Sequence, residues 1–535
     1  MRKSLIAIAI IIVLVGGAAF YYAYNHGPGR SPTGSAFSTS IDNLAEAKSS
    51  ETVELKNGGT YNLAASIVKK KIGNSEVKML AYNGMIPGPT IKVSQGAEIT
   101  VNFTNNTDVD STIHSHGVRV ANKFDGVPDV TQKAIKPGES FIYKITFPDA
   151  GVFWYHPHVR EDYAQELGLY GNYVVTPSEA NYWSSVHREI TLFLDDILME
   201  NNAIAPFGRA SVDHTLMGRF GNTMLVNGET DYTLNAKTGE VIRFYLTNSA
   251  NTRTFNVSIP GVKMKLVGGD NGKYERETWS EGVVLSPSER AIVEVLFDKA
   301  GSYQIQHKTP ERAYRLGQIH VLSEKAGVSL EKEFSTLRTN KDIITSIAPL
   351  RPLFDKPADK HLKLAINMGG KMMRQSMSGT NSMHMMPGGR MMSEKSMMNM
   401  PGGDPIEWED TGSAMNTMSN PSMMKWTLLD PDTGKQNQDI DWKFTIGDNV
   451  KISIENDSSS MHPMQHPIHI HGQRFLVLST NGKPNDNLVW KDTALIPGGA
   501  TVELLVAMSN PGEWMAHCHI AEHLEAGMML NFKVE

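Results

Sequence analysis

The sequence predicts an all-β protein with about three β-sandwich domains. Its 535 residues are too many for one hydrophobic core. Short stretches such as residues 98–103 and 141–147 alternate apolar and polar side chains, and Gly, Pro and Asn turns separate them, which is typical of β-sandwiches. A strand followed by a turn and a second strand recurs near residues 96, 239 and 447, which indicates three copies of one unit.

The N-terminal segment is predicted to contact a membrane. Two basic residues precede an apolar run from Leu5 to about Tyr24, which is about long enough to cross a bilayer. Residues 1–26 are therefore either a signal anchor or a cleaved signal peptide, for which residues 16–19 offer small side chains. In both cases the body of the protein is expected to be extracytoplasmic, at the cell surface or in the periplasm.

The predicted domain limits follow loop-rich stretches. Residues 27–50 are rich in Gly, Pro, Ser and Thr and are expected to form a flexible tether. The three domains are expected at 51–180, 181–335 and 336–535. The net charge of −6 argues against a nucleic-acid partner, which usually requires a basic face.

Ten histidines lie in four short clusters towards the two ends of the chain. Alternate side chains of a β-strand share one face, so a His-x-His pair can share or bridge metal ions. The middle domain has only scattered histidines, His187, His214, His307 and His320, which are expected to be structural. The clustered histidines are His114, His116, His156, His158, His466, His469, His471, His517, His519 and His523.

Cys518 is the only cysteine of the chain and lies between His517 and His519. Because successive side chains of a strand point to opposite faces, Cys518 can bind one metal while both neighbours reach metals on the other side. A thiolate, two imidazoles and a weakly bound thioether are the ligands of a blue-copper electron-transfer site. The residues that offer this set are His466, Cys518, His523 and Met528.

The four clusters, in this order, closely resemble the four copper-binding motifs of the multicopper oxidases, the family of laccases, cuprous oxidases and ferroxidases. The resemblance covers roughly residues 50–535. It implies three cupredoxin-like, Greek-key β-sandwich domains and four copper ions, one of type 1, one of type 2 and a type 3 pair. It assigns the type 1 copper to His466, Cys518, His523 and Met528, the type 2 copper to His114 and His469, and the type 3 pair to His116, His156, His158, His471, His517 and His519.

The resemblance also implies an oxidase that couples one-electron oxidation of a reductant to the four-electron reduction of O2 to water. Electrons are expected to arrive through an exposed edge of His466 and to pass from Cys518 to His517 and His519. The three-copper cluster is expected between the first and third domains, because both contribute histidines to it.

Acidic side chains are expected to supply the protons. Asp125 matches the family's acid near the type 2 copper and is the predicted proton donor. The alternative is a turn residue that precedes Gly126. The family often has a second acid where this chain has Leu524, and Glu522 and Glu525 are its candidate substitutes.

Residues 368–424 form a methionine-rich insertion that holds more than half of the chain's 29 methionines. Its Gly, Ser and Pro content is unsuited to a core or a helix, and soft thioethers select Cu(I). The alternative is a flexible low-complexity loop. The insertion resembles that of bacterial cuprous oxidases, in which Met464 has a counterpart and an acid stands at the position of His462.

Three other functions compete with a cuprous or other metal-ion oxidase. A laccase-type phenol oxidase would need an open donor pocket, and a copper-sequestering protein would lack catalytic O2 uptake. A copper nitrite reductase has two domains and no type 3 pair, so the chain length and His156 and His158 argue against it. The expected partners are O2, a small-molecule or metal-ion reductant, and a membrane through the N-terminal segment.

Overall fold

The computed structural model describes residues 36–368, 404–460 and 462–535, together with the backbone of 383–385 and 391–393. The predicted signal anchor or signal peptide and most of the methionine-rich insertion lie outside these residues. Within the described part of the chain, no helix is both long and apolar enough to cross a membrane.

The strands from residue 52 to residue 176 form a first sandwich of two sheets. Side chains from both sheets, such as Val101 and Tyr173, share one apolar core. A 3-10 turn at Asn122–Phe124 and a short helix, α1 (Glu161–Ala164), interrupt the strands. The strands are β1 (Thr52–Glu54), β2 (Thr60–Ile72), β3 (Ser75–Tyr82), β4 (Thr90–Ser94), β5 (Glu98–Asn106), β6 (His114–His116), β7 (Ser140–Thr146), β8 (Gly151–His156) and β9 (Gly171–Thr176), in the orders β1-β4-β9-β8-β6 and β3-β2-β5-β7.

A second sandwich follows between residues 188 and 325 and encloses its own core, which includes Phe244 and Ile305. Its main sheets have the orders β13-β10-β15-β20-β17-β18 and β14-β22-β21-β16-β19. Its strands are β10 (Arg188–Ile197), β11 (Met199–Glu200), β12 (Ala203–Ile204), β13 (Thr223–Val226), β14 (Tyr232–Thr238), β15 (Glu240–Asn248), β16 (Phe255–Ser258), β17 (Met264–Gly269), β18 (Gly272–Ser280), β19 (Val283–Leu285), β20 (Arg290–Phe297), β21 (Gly301–Lys308) and β22 (Ala313–Lys325).

The segment that leads to the third sandwich is helical. It contains α2 (Glu331–Ser335), α3 (Lys341–Ile347) and a 3-10 helix at Ala348–Leu353. Ile347 of α3 is fully buried against Leu476 and Leu505, so this segment packs on the third sandwich.

The third sandwich lies between residues 360 and 534, with Ile452 and Phe532 in its core. Its main sheets have the orders β26-β23-β28-β33-β30-β31 and β27-β35-β34-β29-β32. It also holds α4 (Ser413–Met418), a 3-10 turn at Asn437–Asp439 and α5 (Ala521–Glu525). Its strands are β23 (Lys360–Met368), β24 (Met383–Met385), β25 (Met391–Ser393), β26 (Met424–Leu429), β27 (Trp442–Phe444), β28 (Asn449–Asn456), β29 (His466–Ile470), β30 (Arg474–Thr480), β31 (Lys483–Pro484), β32 (Thr493–Ile496), β33 (Thr501–Ala507), β34 (Gly512–Cys518) and β35 (Met529–Val534).

The all-β fold class with three sandwiches is therefore confirmed for the described residues. The limits at 51–180, 181–335 and 336–535 remain a prediction. The period of two explains the strands: in β5, Ile99, Val101 and Phe103 are buried while the residues between them are partly exposed.

Two strand pairs bring the histidine clusters together. In the first sandwich, β6 lies antiparallel to β8 and His114 pairs with His156. In the third, β29 lies antiparallel to β34 and His469 pairs with His517. Helix α1 contacts α5, so the first and third sandwiches meet where these pairs end.

Candidate metal centre

Eight buried histidine rings form one cluster between the first and third sandwiches. His114 stacks at an angle on His471 with ring centroids 4.1 Å apart, and His116 stacks on His469 at 3.7 Å. Ring nitrogens lie within 4.8 Å of one another in three groups, each of which could hold a metal ion. The groups are His114, His116 and His469; His116, His156 and His519; and His158, His471 and His517.

The hydrogen bonds of these rings fit metal ligands. In a ligating histidine, one ring nitrogen is oriented by an acceptor and the other is left for the metal. Nδ1 of His114 donates to the carbonyl of Asp125 at 2.8 Å, and Nδ1 of His156 donates to the carbonyl of Pro157 at 2.9 Å. Their Nε2 atoms are buried without a hydrogen-bond partner. Such buried unpaired nitrogens are costly, and a bound metal would satisfy them.

Burial also keeps seven of these imidazoles neutral, which is the form that binds metal. It lowers the pKa of His471 to about 4 and that of His519 to about 3. It lowers the pKa of five further rings well below the usual value, with neighbouring histidines adding to the effect. Those five are His116, His156, His158, His469 and His517.

Cys518 lies with two histidines in a separate buried group. Its Sγ is 3.4 Å from Nδ1 of His466 and 3.7 Å from Nδ1 of His523. Met528 is fully buried in the same core, and its backbone bonds to both Cys518 and His523. Burial raises the pKa of the Cys518 thiol, so a metal would have to displace its proton. The thiolate, imidazole and thioether types fit copper.

The Cys518 group and the eight-histidine cluster are adjacent along the chain. Cys518 ends β34, and it packs into the apolar core of the third sandwich. His517 and His519, on either side of it, belong to the eight-ring cluster. The alternation of a β-strand therefore places the two groups on opposite faces of the chain, as the sequence predicted.

The expectation of an exposed edge on His466 is wrong, since the residue is fully buried. The segment from residue 404 to residue 426 packs beside it. Glu407 and Gln465 exchange two hydrogen bonds, at 2.8 and 3.0 Å, and the ring of Trp426 lies 4.6 Å from that of His466. Most of this segment belongs to the methionine-rich insertion 368–424. The expectation that this composition suits neither a helix nor a core is wrong here, since α4 forms within it and Met424 is buried in the core of the third sandwich.

His462 and Glu407 form a partly exposed polar pair at the segment 404–426, which covers His466. Nε2 of His462 is 3.3 Å from a carboxylate oxygen of Glu407, and the side chains are 12% and 26% exposed. Met464, two residues after His462, is buried. The acid expected from the resemblance at position 462 is thus replaced by a histidine with an acid opposite to it.

Asp125 joins the cluster and also ends a turn. It follows the 3-10 turn Asn122–Phe124, and its carboxylate accepts a hydrogen bond from Nδ1 of His471 at 2.9 Å. Burial alone would raise its pKa, but His471 and His114 outweigh burial and hold the pKa well below the usual value.

Glu522 and Glu525 are buried on α5. Burial, with the charge of Asp162, raises the pKa of Glu522 to about 8 and that of Glu525 to about 7. A carboxylate oxygen of Glu525 accepts a hydrogen bond from the backbone N–H of Glu161. A carboxylate oxygen of Glu161 in turn lies 3.4 Å from Nδ1 of His158.

Sequence reasoning missed several residues that contact the cluster. Glu161 had a weak signal, because it lies three residues after His158 on the chain. No sequence signal pointed to Asp492, which accepts a hydrogen bond from His116, or to Trp154, which stacks on His156 with ring centroids 4.1 Å apart.

Comparisons with known proteins agree with this geometry. Family models described as multicopper oxidase match residues 65–180, 189–325 and 409–535. The multicopper oxidase mco of Staphylococcus epidermidis is 26% identical over 467 residues, which cover 86% of this chain and 85% of that protein. A copper resistance protein A homologue of Pseudomonas syringae pv. tomato is 22% identical, over 89% of this chain and 92% of that protein.

A solved structure shows the same fold. The structure described as a multicopper oxidase from Campylobacter jejuni, a metallo-oxidase, has a TM-score of 0.65 and 23% identity, and the match covers 93% of this chain and 99% of that one. The three matched models span most of the chain, and the buried histidine groups suit the four copper ions that the family uses. The chain therefore belongs to the multicopper oxidase family of oxidoreductases.

Proposed function

We propose that this multicopper oxidase takes electrons from a metal ion, foremost Cu(I), and delivers them to O2, which is reduced to water. When bound, the coppers would supply one-electron oxidation at the Cys518 site and multi-electron reduction of O2 at the eight-histidine cluster. The proposed ligands are His466, Cys518, His523 and Met528 for type 1, His114 and His469 for type 2, and His116, His156, His158, His471, His517 and His519 for the type 3 pair.

The nitrogen groups support this ligand assignment. The six proposed type 3 histidines fall into two groups of three, and each group draws on both the first and the third sandwich. Nε2 of His114 and Nε2 of His469, proposed for type 2, are both buried without a partner. Cys518 supports the electron path, since His517 and His519 are its direct neighbours in the chain.

The burial of His466 favours a metal ion over a phenol as the reductant. A phenol ring would need an open face of His466, and the segment 404–426 packs beside this residue, which is fully buried. A small cation needs only polar ligands at the edge, which His462 and Glu407 offer. The second carboxylate oxygen of Glu407 and Nε2 of His462 are buried without a hydrogen-bond partner, which a bound cation would satisfy.

The thioethers give this edge its preference for soft ions. Met464 lies between His462 and His466 along the chain and is buried in the same core as Cys518 and Met528. Thioethers favour Cu(I) over harder cations. Two of the similar proteins, a copper resistance protein A homologue and a metallo-oxidase, favour the same substrate class.

The acids are proposed to handle protons on two sides of the cluster. Asp125 contacts His471 and is the proposed proton donor, acting as a relay: its low pKa keeps it ionised, so it must take up a proton before it passes one to the cluster. Glu522 and Glu525 lie on α5 on the other side, where Glu525 is connected through Glu161 to the neighbourhood of His158. We also propose an extracytoplasmic location, with residues 1–26 as the anchor or signal peptide.

Steady-state O2 consumption by the copper-loaded protein tests the proposal. Cu(I), Fe(II), Mn(II) and a phenol are each supplied as the reductant, and we expect Cu(I) to give the highest kcat/KM. A phenol that exceeds every metal ion would establish the laccase-type alternative. No O2 uptake with any donor would favour copper sequestration.

A variant pair locates the access route. Glu407→Gln should raise the KM for Cu(I), because it removes a carboxylate ligand, and should leave phenol oxidation unchanged. The control is Asp432→Asn, which removes the acid of another histidine–acid pair, with His361, on the surface of the same sandwich. Equal KM values in the wild type and both variants would show that Cu(I) does not enter at Glu407.

A further inference from the structure

The second sandwich contributes none of the clustered histidines, yet it inserts one side chain beside the cluster. Arg290 begins β20, and its side chain is fully buried. Its guanidinium contacts all three sandwiches. Nε donates to the carbonyl of Val152 in the first, Nη1 donates to the carbonyl of Ser288 in the second, and both terminal nitrogens bind Asp492 in the third.

The contact between Arg290 and Asp492 is a bidentate ion pair. Nη1 donates to Oδ1 at 2.7 Å and Nη2 donates to Oδ2 at 2.5 Å. Asn271, also in the second sandwich, donates to Oδ2 at 2.9 Å. The planar guanidinium matches the carboxylate geometry in a way that a lysine ammonium cannot. Asp492 is therefore held in one orientation, with its charge compensated inside the protein.

Asp492 in turn bonds to one histidine from each half of the cluster. Its Oδ1 accepts from Nε2 of His116 at 3.0 Å, and its backbone carbonyl accepts from Nδ1 of His469 at 2.8 Å. These bonds leave opposite nitrogens free, since Nδ1 of His116 and Nε2 of His469 are buried without partners. The two rings stack at 3.7 Å, so a rotation of one would disturb the other.

The backbone at Gly117 passes close to the Arg290–Asp492 ion pair. A Cβ atom on Gly117, the residue after His116, would lie 2.2 Å from Oδ2 of Asp492 and 2.8 Å from Nη2 of Arg290. Gly117 has φ of +78°, which a residue with a side chain rarely adopts. The chain therefore approaches the ion pair closely just where it carries His116 into the cluster.

We propose that Arg290 is a positioning residue for the cluster coppers: through Asp492 it fixes which nitrogens of His116 and His469 face the metals. The inference rests on the proposed ligand assignment and adds a role for the second sandwich. Groups behind metal ligands fix the ring tautomer and orientation, and their loss typically weakens metal binding about 10–100-fold. Arg290 acts one step further out, through the acid that orients the rings.

The test compares Arg290→Met with Arg243→Met. Arg243 is a second buried arginine of the same sandwich, with Glu294 and Glu189 as its partners and no contact with the histidine cluster. Copper affinity is measured by chelator competition and total copper content, and the cluster is followed by the electron paramagnetic resonance signal of its type 2 copper. The blue absorption of the Cys518 site serves as the internal reference.

We expect Arg290→Met to retain the blue copper, to bind the cluster coppers about 10–100-fold more weakly and to show a changed type 2 signal. Arg243→Met should keep all coppers and the wild-type signal. A folded Arg290→Met protein with wild-type affinity and signal would overturn the proposal. An equal loss in both variants would also overturn it, because it would reflect general destabilisation of the second sandwich.

Arg290→Lys decides the question if Arg290→Met does not fold. This variant retains the positive charge and loses the bidentate contact with Asp492. We therefore expect a smaller loss of copper affinity than in Arg290→Met, with a changed type 2 signal. A wild-type signal in Arg290→Lys would overturn the proposal. These readouts do not depend on the reductant, so a preference for phenols would refute the proposed substrate without affecting this test. A wild-type protein that binds no cluster copper would instead refute the proposed function itself.

Discussion

The carboxylate of Asp125 accepts a hydrogen bond from Nδ1 of His471 across 346 residues of chain, at 2.9 Å. Asp125→Asn keeps the shape and an oxygen that can accept this bond, but it removes the acid. We expect unchanged copper content and slower O2 reduction, by about 100-fold if Asp125 is a general acid. Stopped-flow reoxidation of the reduced protein measures this rate. A wild-type rate in Asp125→Asn would show that Asp125 is only a turn residue.

Cys518→Ser should remove the intense blue absorption, because the thiolate is its source. It should also abolish oxidation of every reductant, since Cys518 connects the donor side to His517 and His519. The cluster histidines are untouched, so the cluster coppers should still load, and metal analysis of the purified variant can count them. Oxidase turnover in a variant with the full cluster would contradict the assigned electron path.

Met528→Leu should raise the reduction potential of the blue copper, because loss of a weak donor destabilises Cu(II) more than Cu(I). The substitution conserves volume, so the fold should survive. Met508→Leu is the control, since Met508 is buried in the same core and is not a proposed ligand. Redox titration followed at the blue band measures both. An unchanged potential in Met528→Leu would exclude it as the axial ligand.

Replacing residues 372–403 with a short Gly–Ser linker should leave all four coppers in place, because none of the proposed ligands lies there. The docked segment 404–426 is retained, so the cover beside His466 is kept. If the insertion gathers Cu(I), cuprous oxidation should fall most at low copper concentration, where many weak sites act as a local store. Phenol oxidation is the comparison: equal loss of both activities would indicate a structural role, and equal retention an inert loop.

Glu522 gives a prediction about pH and stability in the metal-free protein. Its pKa is raised to about 8 from the usual 4.5, so between these values the folded chain holds a proton that the unfolded chain releases. Stability should therefore fall as pH rises through this window, by up to about 1.4 kcal/mol per pH unit. Glu522→Gln should flatten this dependence in urea unfolding at pH 5 and pH 8. Identical slopes in both proteins would show that Glu522 is ionised when buried.

The sequence predicted the fold class and the grouping of the histidines because both depend on local regularities. The period of two marks the strands, and the His-x-His spacing places pairs of rings on one face. The ion pair of Arg290 with Asp492 joins residues 202 positions apart, and no local pattern connects them. The residues that cover His466 had no sequence signal for a similar reason, since Glu407 and Gln465 bond across 58 positions of the chain.

The position of the cluster between the first and third sandwiches has a consequence for biogenesis. A nascent chain completes its first sandwich long before Cys518 and its flanking histidines have been synthesised, so it cannot assemble the cluster during elongation. Metallation is therefore coupled to completion of the polypeptide, and a chain terminated before the third sandwich would carry only the isolated pairs His114–His116 and His156–His158. Such a fragment also lacks Cys518, so it would have no blue-copper site through which to take up electrons.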